Sequence, residues 1–189
     1  MLSILDIFPA GDIIYEVKLR GGKMEIPVTR DVSHLRSALK IPRFSEIPKD
    51  GLYMEQLIEY LSERFSSFAD ETGLSPITRS MINNYVKARL VVPPVNKKYT
   101  SYSIASIIVM YIMKTCYSTK EIGRIIALGI TYEDIPKVYD NFCNAIEKAI
   151  DDVFSGNAEI HIENGRKDYY LLDAFAHSFA CKIYVQNCF

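Results

Sequence analysis

The side chains with the most to offer chemically fall in one stretch, ITRSMINNYVKARLVVPPVNKKYT, residues 77–100. Arg79, Ser80, Asn83, Asn84 and Lys87 come first, then Lys97, Lys98 and Tyr99, with no carboxylate among them. Arginine and lysine donate to guanine O6 and N7, and asparagine pairs with adenine N6 and N7, all on the major-groove edge of a duplex. Cations and a phenol on a neighbouring loop suit phosphate oxygens, which supply affinity and register without reading sequence. The chemistry these types suggest is recognition rather than bond-making. A solvated outer face of a core helix would have a similar composition. However, two adjacent asparagines are poor helix formers, so stability alone does not explain them.

The remaining candidates for chemistry are thin. His34, His161 and His177 are scattered. His177 and Cys181 stand four apart on the last expected helix, with Cys188 nearby, a spacing that could face one metal. A cysteine on a Phe-rich helix is more often a small buried hydrophobe, so no metal ligand is assigned. Gly21-Gly22 precedes no helix and makes no phosphate loop. Neither G-x-S-x-G nor H-E-x-x-H occurs, and nothing pairs Glu63, Asp70 and Glu71 into an acid–base site. The expectation is a protein that is not an enzyme, with no catalytic residue and no cofactor.

The elements that must position the 77–100 side chains are mostly helical. A long helix is expected over about 52–68, from Leu52, Leu57, Ile58, Leu61 and Phe65. Thr78 can cap a short helix over 79–88, which Pro93-Pro94 prevents from continuing. At about 100° per residue, Arg79, Ser80, Asn83, Asn84 and Lys87 share one arc and Met81, Ile82, Tyr85 and Val86 the opposite one. Residues 91–100 form an extended loop, and Thr100 or Ser101 opens a buried central helix over about 102–116. Ser118-Thr119-Lys120-Glu121 is a capping box. Asp134 caps a helix to about 154, with Ile135, Val138, Tyr139, Phe142, Ile146, Ile150 and Val153 as its apolar stripe. A last helix covers about 168–186. At the other end, 13–19 and 23–28 alternate around Arg20-Gly21-Gly22 as a β-hairpin. Arg-Gly-Gly-Lys before Met24 is also what a purine-rich ribosome-binding site encodes in frame, which makes Met24 a second candidate start.

A short reading helix, a basic loop and a buried helix follow in the order of a winged helix-turn-helix. Met81 to Val91 resembles the second helix and turn of MerR-type regulators. Pro93-Pro94 and Lys97-Lys98-Tyr99-Thr100 resemble their wing, and Tyr117 to Ile122 their next helix. Those regulators usually carry Arg-Tyr where this chain has Asn83-Asn84, and Gly where it has Arg89. A closer resemblance links Ile41-Pro42-Arg43-Phe44, Leu52-Tyr53-Met54, Thr78–Tyr85 and Lys182–Gln186 to the bacterial domain-of-unknown-function family numbered 1836. The MerR likeness implies double-stranded DNA as partner. By position it makes Asn83, Asn84 and Lys87 base readers, and Lys97 and Tyr99 phosphate contacts.

Composition sets the outer bounds. The chain has 189 residues, about half of them hydrophobic, with 22 basic and 23 acidic residues. Arg79, Lys87, Arg89, Lys97, Lys98, Lys114 and Lys120 occupy residues 72–120 with no Asp or Glu, which leaves the rest of the chain acidic. Cysteine usage fits no disulfide framework and the longest apolar run, 104–113, is too short to span a bilayer, so a cytoplasmic, non-membrane protein is expected. The expected organisation is an extension over 1–40, a winged helix-turn-helix-like domain over 41–130 and a helical region over 131–189. One short reading helix carries little specificity, so a homodimer is expected. Two rival functions are a protein-interaction module on the same scaffold and a small-ligand sensor built around Tyr139, Phe142, Phe175 and Phe179.

Overall fold

The computed structural model describes residues 19–20, 23–24, 39–72, 74–129, 134–156 and 167–187. It is mainly α. The helices are α1 (Met54–Thr72), α2 (Arg79–Lys87), α3 (Ser101–Met113), α4 (Thr119–Gly129), α5 (Ile135–Phe154) and α6 (Lys167–Asn187). The strands are short: β1 (Leu19–Arg20) pairs antiparallel with β2 (Lys23–Met24), and β3 (Leu52–Tyr53) with β4 (Lys98–Tyr99). The β1–β2 ladder pairs Leu19 with Met24 and Arg20 with Lys23. The rest of that expected hairpin lies outside the described residues.

Side-chain caps open several of the helices, because the first N–H groups of a helix have no partner within it. Thr78 Oγ1 accepts from Met81 N at 3.3 Å and Thr100 Oγ1 from Ser103 N at 3.4 Å. Asp134 Oδ1 accepts from Lys137 N at 3.3 Å. Ser118 and Glu121 close the reciprocal box: Ser118 N–H donates to Glu121 Oε2 at 2.7 Å and Glu121 N–H to Ser118 Oγ at 3.3 Å. The expected boundaries hold to within a few residues.

α3 is the hub. Ile104, Ile107, Ile108 and Ile112 are almost wholly buried, and each contributes about 2 kcal/mol relative to an exposed position. α1 turns Leu57, Leu61, Phe65 and Phe68 inward, and Phe68 meets Phe179 of α6 with ring centroids 6.3 Å apart. α5 contributes Tyr139, Phe142, Ile146 and Ile150, although Val138, expected in the same stripe, is exposed. No helix among the described residues is long and apolar enough to cross a membrane.

The 41–51 segment is a strap tied to α5. Glu147 accepts from Ile41 N at 3.1 Å and takes both Arg43 nitrogens, at 3.2 and 2.6 Å. Asp140 accepts from Phe44 N at 2.8 Å, and the Tyr139 hydroxyl donates to Pro42 O at 2.8 Å. One apolar core therefore runs from Leu39 to Ile183, and the regions expected on either side of residue 130 share it.

Candidate nucleic-acid interface

α2 has the two faces that its spacing predicts. Ile82 and Tyr85 are buried and Met81 and Val86 half-buried, while Arg79, Ser80, Asn83, Asn84 and Lys87 are exposed. Among the described residues, no side-chain partner engages Ser80, Asn83, Asn84 or Lys87. Burial pushes the Tyr85 phenol up to about 12, which matches its place in the core.

The helix ends at Arg89, in the left-handed region with φ 59°. Leu90 N–H donates to Tyr85 O at 3.1 Å and Arg89 N–H to Val86 O at 2.9 Å. This is a Schellman closure, in which glycine usually occupies the left-handed position. Arg89 makes the turn without glycine. Its side chain is exposed and has no ion-pair partner among the described residues.

The loop after Pro93-Pro94 is a tight hairpin. Val95 N–H donates to Lys98 O at 2.9 Å and Lys98 N–H to Val95 O at 3.0 Å. Asn96 and Lys97 both have positive φ, 49° and 65°, as a two-residue type I′ turn requires. Asparagine suits the first position, whereas lysine stands where glycine is preferred. Lys97 is therefore fixed at the exposed tip of a hairpin whose returning strand, β4, is anchored by β3.

Other members of the expected set behave differently. Tyr99 is 3% exposed and belongs to the core. Strand alternation turns it inward from β4, burial raises its phenol, and the nearby Arg79 charge opposes that rise. Tyr99 is thus a packing residue and not a phosphate contact. Lys98 is half-buried, its Nζ 5.2 Å from the Tyr53 ring centroid and 3.5 Å from Asp50 O. Arg79 is not free either, since its guanidinium donates to Glu55 Oε1 at the start of α1. That bond holds the Glu55 carboxyl below the usual carboxylate range. The carboxylate-free block of the sequence thus receives a carboxylate in space. Sequence reasoning missed Glu55 and Arg89 as members of this surface. Arg89 could have been suspected from its place after the helix, but nothing local marks Glu55.

The rings offered for a ligand pocket are all buried in the core. Phe142 and Phe175 stack with centroids 5.9 Å apart, and the Tyr139 hydroxyl is spent on Pro42 O. His177 is buried with Nδ1 against Asp173 O at 2.9 Å, while Cys181 is exposed, so the pair does not face one point.

The family model described as "Domain of unknown function (DUF1836)" matches residues 42–157. The chain belongs to that family. The DUF1836 match runs from the Pro42–Arg43 strap through α2 and the 95–98 hairpin to the end of α5, and so includes the whole candidate surface. The resemblance traced to Lys182–Gln186 on α6 lies beyond it. No curated protein and no solved structure matches the chain.

Proposed function

We propose that this protein is a DNA-binding transcription regulator with a MerR-like winged helix-turn-helix core. In this reading α2 enters the major groove and the 95–98 hairpin is the wing on the phosphates. The observation that carries it is the division of α2: two buried anchors, and an outer face of serine, two asparagines and a lysine with no side-chain partners among the described residues. Packing explains the first face and leaves the second without a structural role. The order α1, α2, hairpin, α3 supports the same architecture. So do the left-handed residues Arg89, Asn96 and Lys97, because strained backbone concentrates where function holds a side chain in place. A homodimer would set two copies of α2 about 34–36 Å apart, one helical turn of DNA, with α5 and α6 as the candidate contact.

Selection of bound duplexes from genomic fragments, followed by titration across salt concentrations, tests the proposal. Binding should weaken steeply with salt. Lys97→Ala should flatten the slope by about one unit, while Asn83→Ala should change the preferred sequence. Affinity indifferent to salt would overturn the reading. A protein-interaction module draws on a different observation: Val92 and Val95 beside the hairpin are each 61% exposed. It predicts that their substitution by serine abolishes partner capture while duplex binding is absent from the outset.

A further inference from the structure

Arg79 has the expected type and position for a base reader, the first residue of α2, where residues of a reading helix meet base edges. It is also electrostatically misplaced, since a cation at a helix N-terminus opposes the macrodipole. Glu55 from α1 answers that charge through the hydrogen-bonded ion pair. Both side chains are mostly exposed, Arg79 56% and Glu55 70%, and exposed pairs of this kind add little to stability. Glu55 also sits in the first turn of α1, where a carboxylate complements the helix dipole, while Gln56 Oε1 takes the Tyr53 N–H at 3.0 Å. The same carboxylate lies beside the proposed groove surface, where it repels every phosphate and ties up the leading cation.

We infer that Glu55 is a latch on Arg79 that sets specificity, holding the guanidinium off the phosphate backbone and releasing it only to a duplex whose guanine edge offers two parallel hydrogen bonds. The inference rests on the DNA-binding reading of α2. A bidentate guanine contact replaces the single bond to Glu55 with two, whereas an arbitrary phosphate contact must overcome both the lost pair and the repulsion from the freed carboxylate. Discrimination by a built-in repulsive element is a general route to specificity. Arg89 and Lys97, which have no carboxylate partner among the described residues, supply the sequence-independent attraction.

The test measures full-length protein on two probes, a random-sequence duplex and the tightest duplex from the genomic selection. Glu55→Gln should bind the random duplex roughly eightfold more tightly at about 0.1 M salt and steepen its salt slope by about 0.9, the signature of one added phosphate contact. The selected duplex should gain less, so the specificity ratio falls. Adding Arg79→Ala to that variant should return random-duplex affinity to the wild-type value. Arg79→Ala alone should weaken the selected duplex while leaving the random-duplex slope unchanged. If wild-type protein binds with a steep salt slope but Glu55→Gln alters neither slope nor ratio, the latch is overturned and the DNA reading stands. Salt-indifferent binding by wild type and Glu55→Gln alike overturns both.

Discussion

Arg43 and Arg79 each meet a glutamate from elsewhere in the chain, Glu147 and Glu55, and the surroundings of the two pairs could hardly differ more. Around Arg43 the side chains are about one-third exposed, the guanidinium is gripped by both carboxylate oxygens, and the same carboxylate also accepts the Ile41 N–H. Around Arg79 both partners are mostly exposed and a single bond joins them. Glu147 has its acceptor capacity committed to fixed groups, so removing it strands an N–H and a cation against α5. Glu55 commits one oxygen to an exposed head group that water can replace. The strap is held by its charges, while the α2 surface merely stores them.

The sharpest way to break this comparison is Glu147→Ala. It should cost about 2–3 kcal/mol in chemical denaturation, because a partly buried arginine and a backbone donor lose their acceptor together. A loss under about 0.5 kcal/mol would put the strap on the same footing as the exposed pair. On the other surface, Asn83→Ala should remove about 1–3 kcal/mol of discrimination at one base position and leave the denaturation midpoint in place. An equal loss on every duplex would assign Asn83 to the backbone instead. Arg89→Gly should stabilise the fold by up to about 1 kcal/mol, since glycine adopts φ 59° without steric cost. A neutral or destabilised variant would mean that the Arg89 side chain contributes packing of its own. The smallest effect belongs to Glu55→Gln, whose midpoint at neutral pH should match wild type. Because Arg79 holds the Glu55 carboxyl below its ordinary range, any stability from the pair is present above the unfolded-state value and lost as pH falls through the folded one. The variant should therefore be slightly less acid-sensitive than wild type below about pH 4.3, read from acid-unfolding curves.

How far these surfaces were legible depends on the range of the interactions. Helix α2, its Thr78 cap and its two faces follow from spacing alone, as do the Ser118–Glu121 box and the buried run of α3. Tyr99 was misjudged because a tyrosine beside two lysines looks like a surface residue until pairing with β3 fixes which side of the strand it takes. Val138 differs the other way: its spacing on α5 is apolar, but no described element covers it. The strap is not legible from its own residues, since its partners, Asp140 and Glu147, lie about a hundred residues away.

The amino-acid sequence by itself therefore determined the local elements: where helices start, which arc of α2 is apolar, and that residues 72–120 carry no carboxylate. Those are consequences of helical periodicity and of side chains bonding to backbone within a few residues. Only the tertiary structure decided that Glu55 neutralises Arg79, that Tyr99 lies inside, and that Arg43 is structural. Each depends on which distant groups share a few ångströms of space, and electrostatic and packing energies are set by that distance and by the water left between the groups.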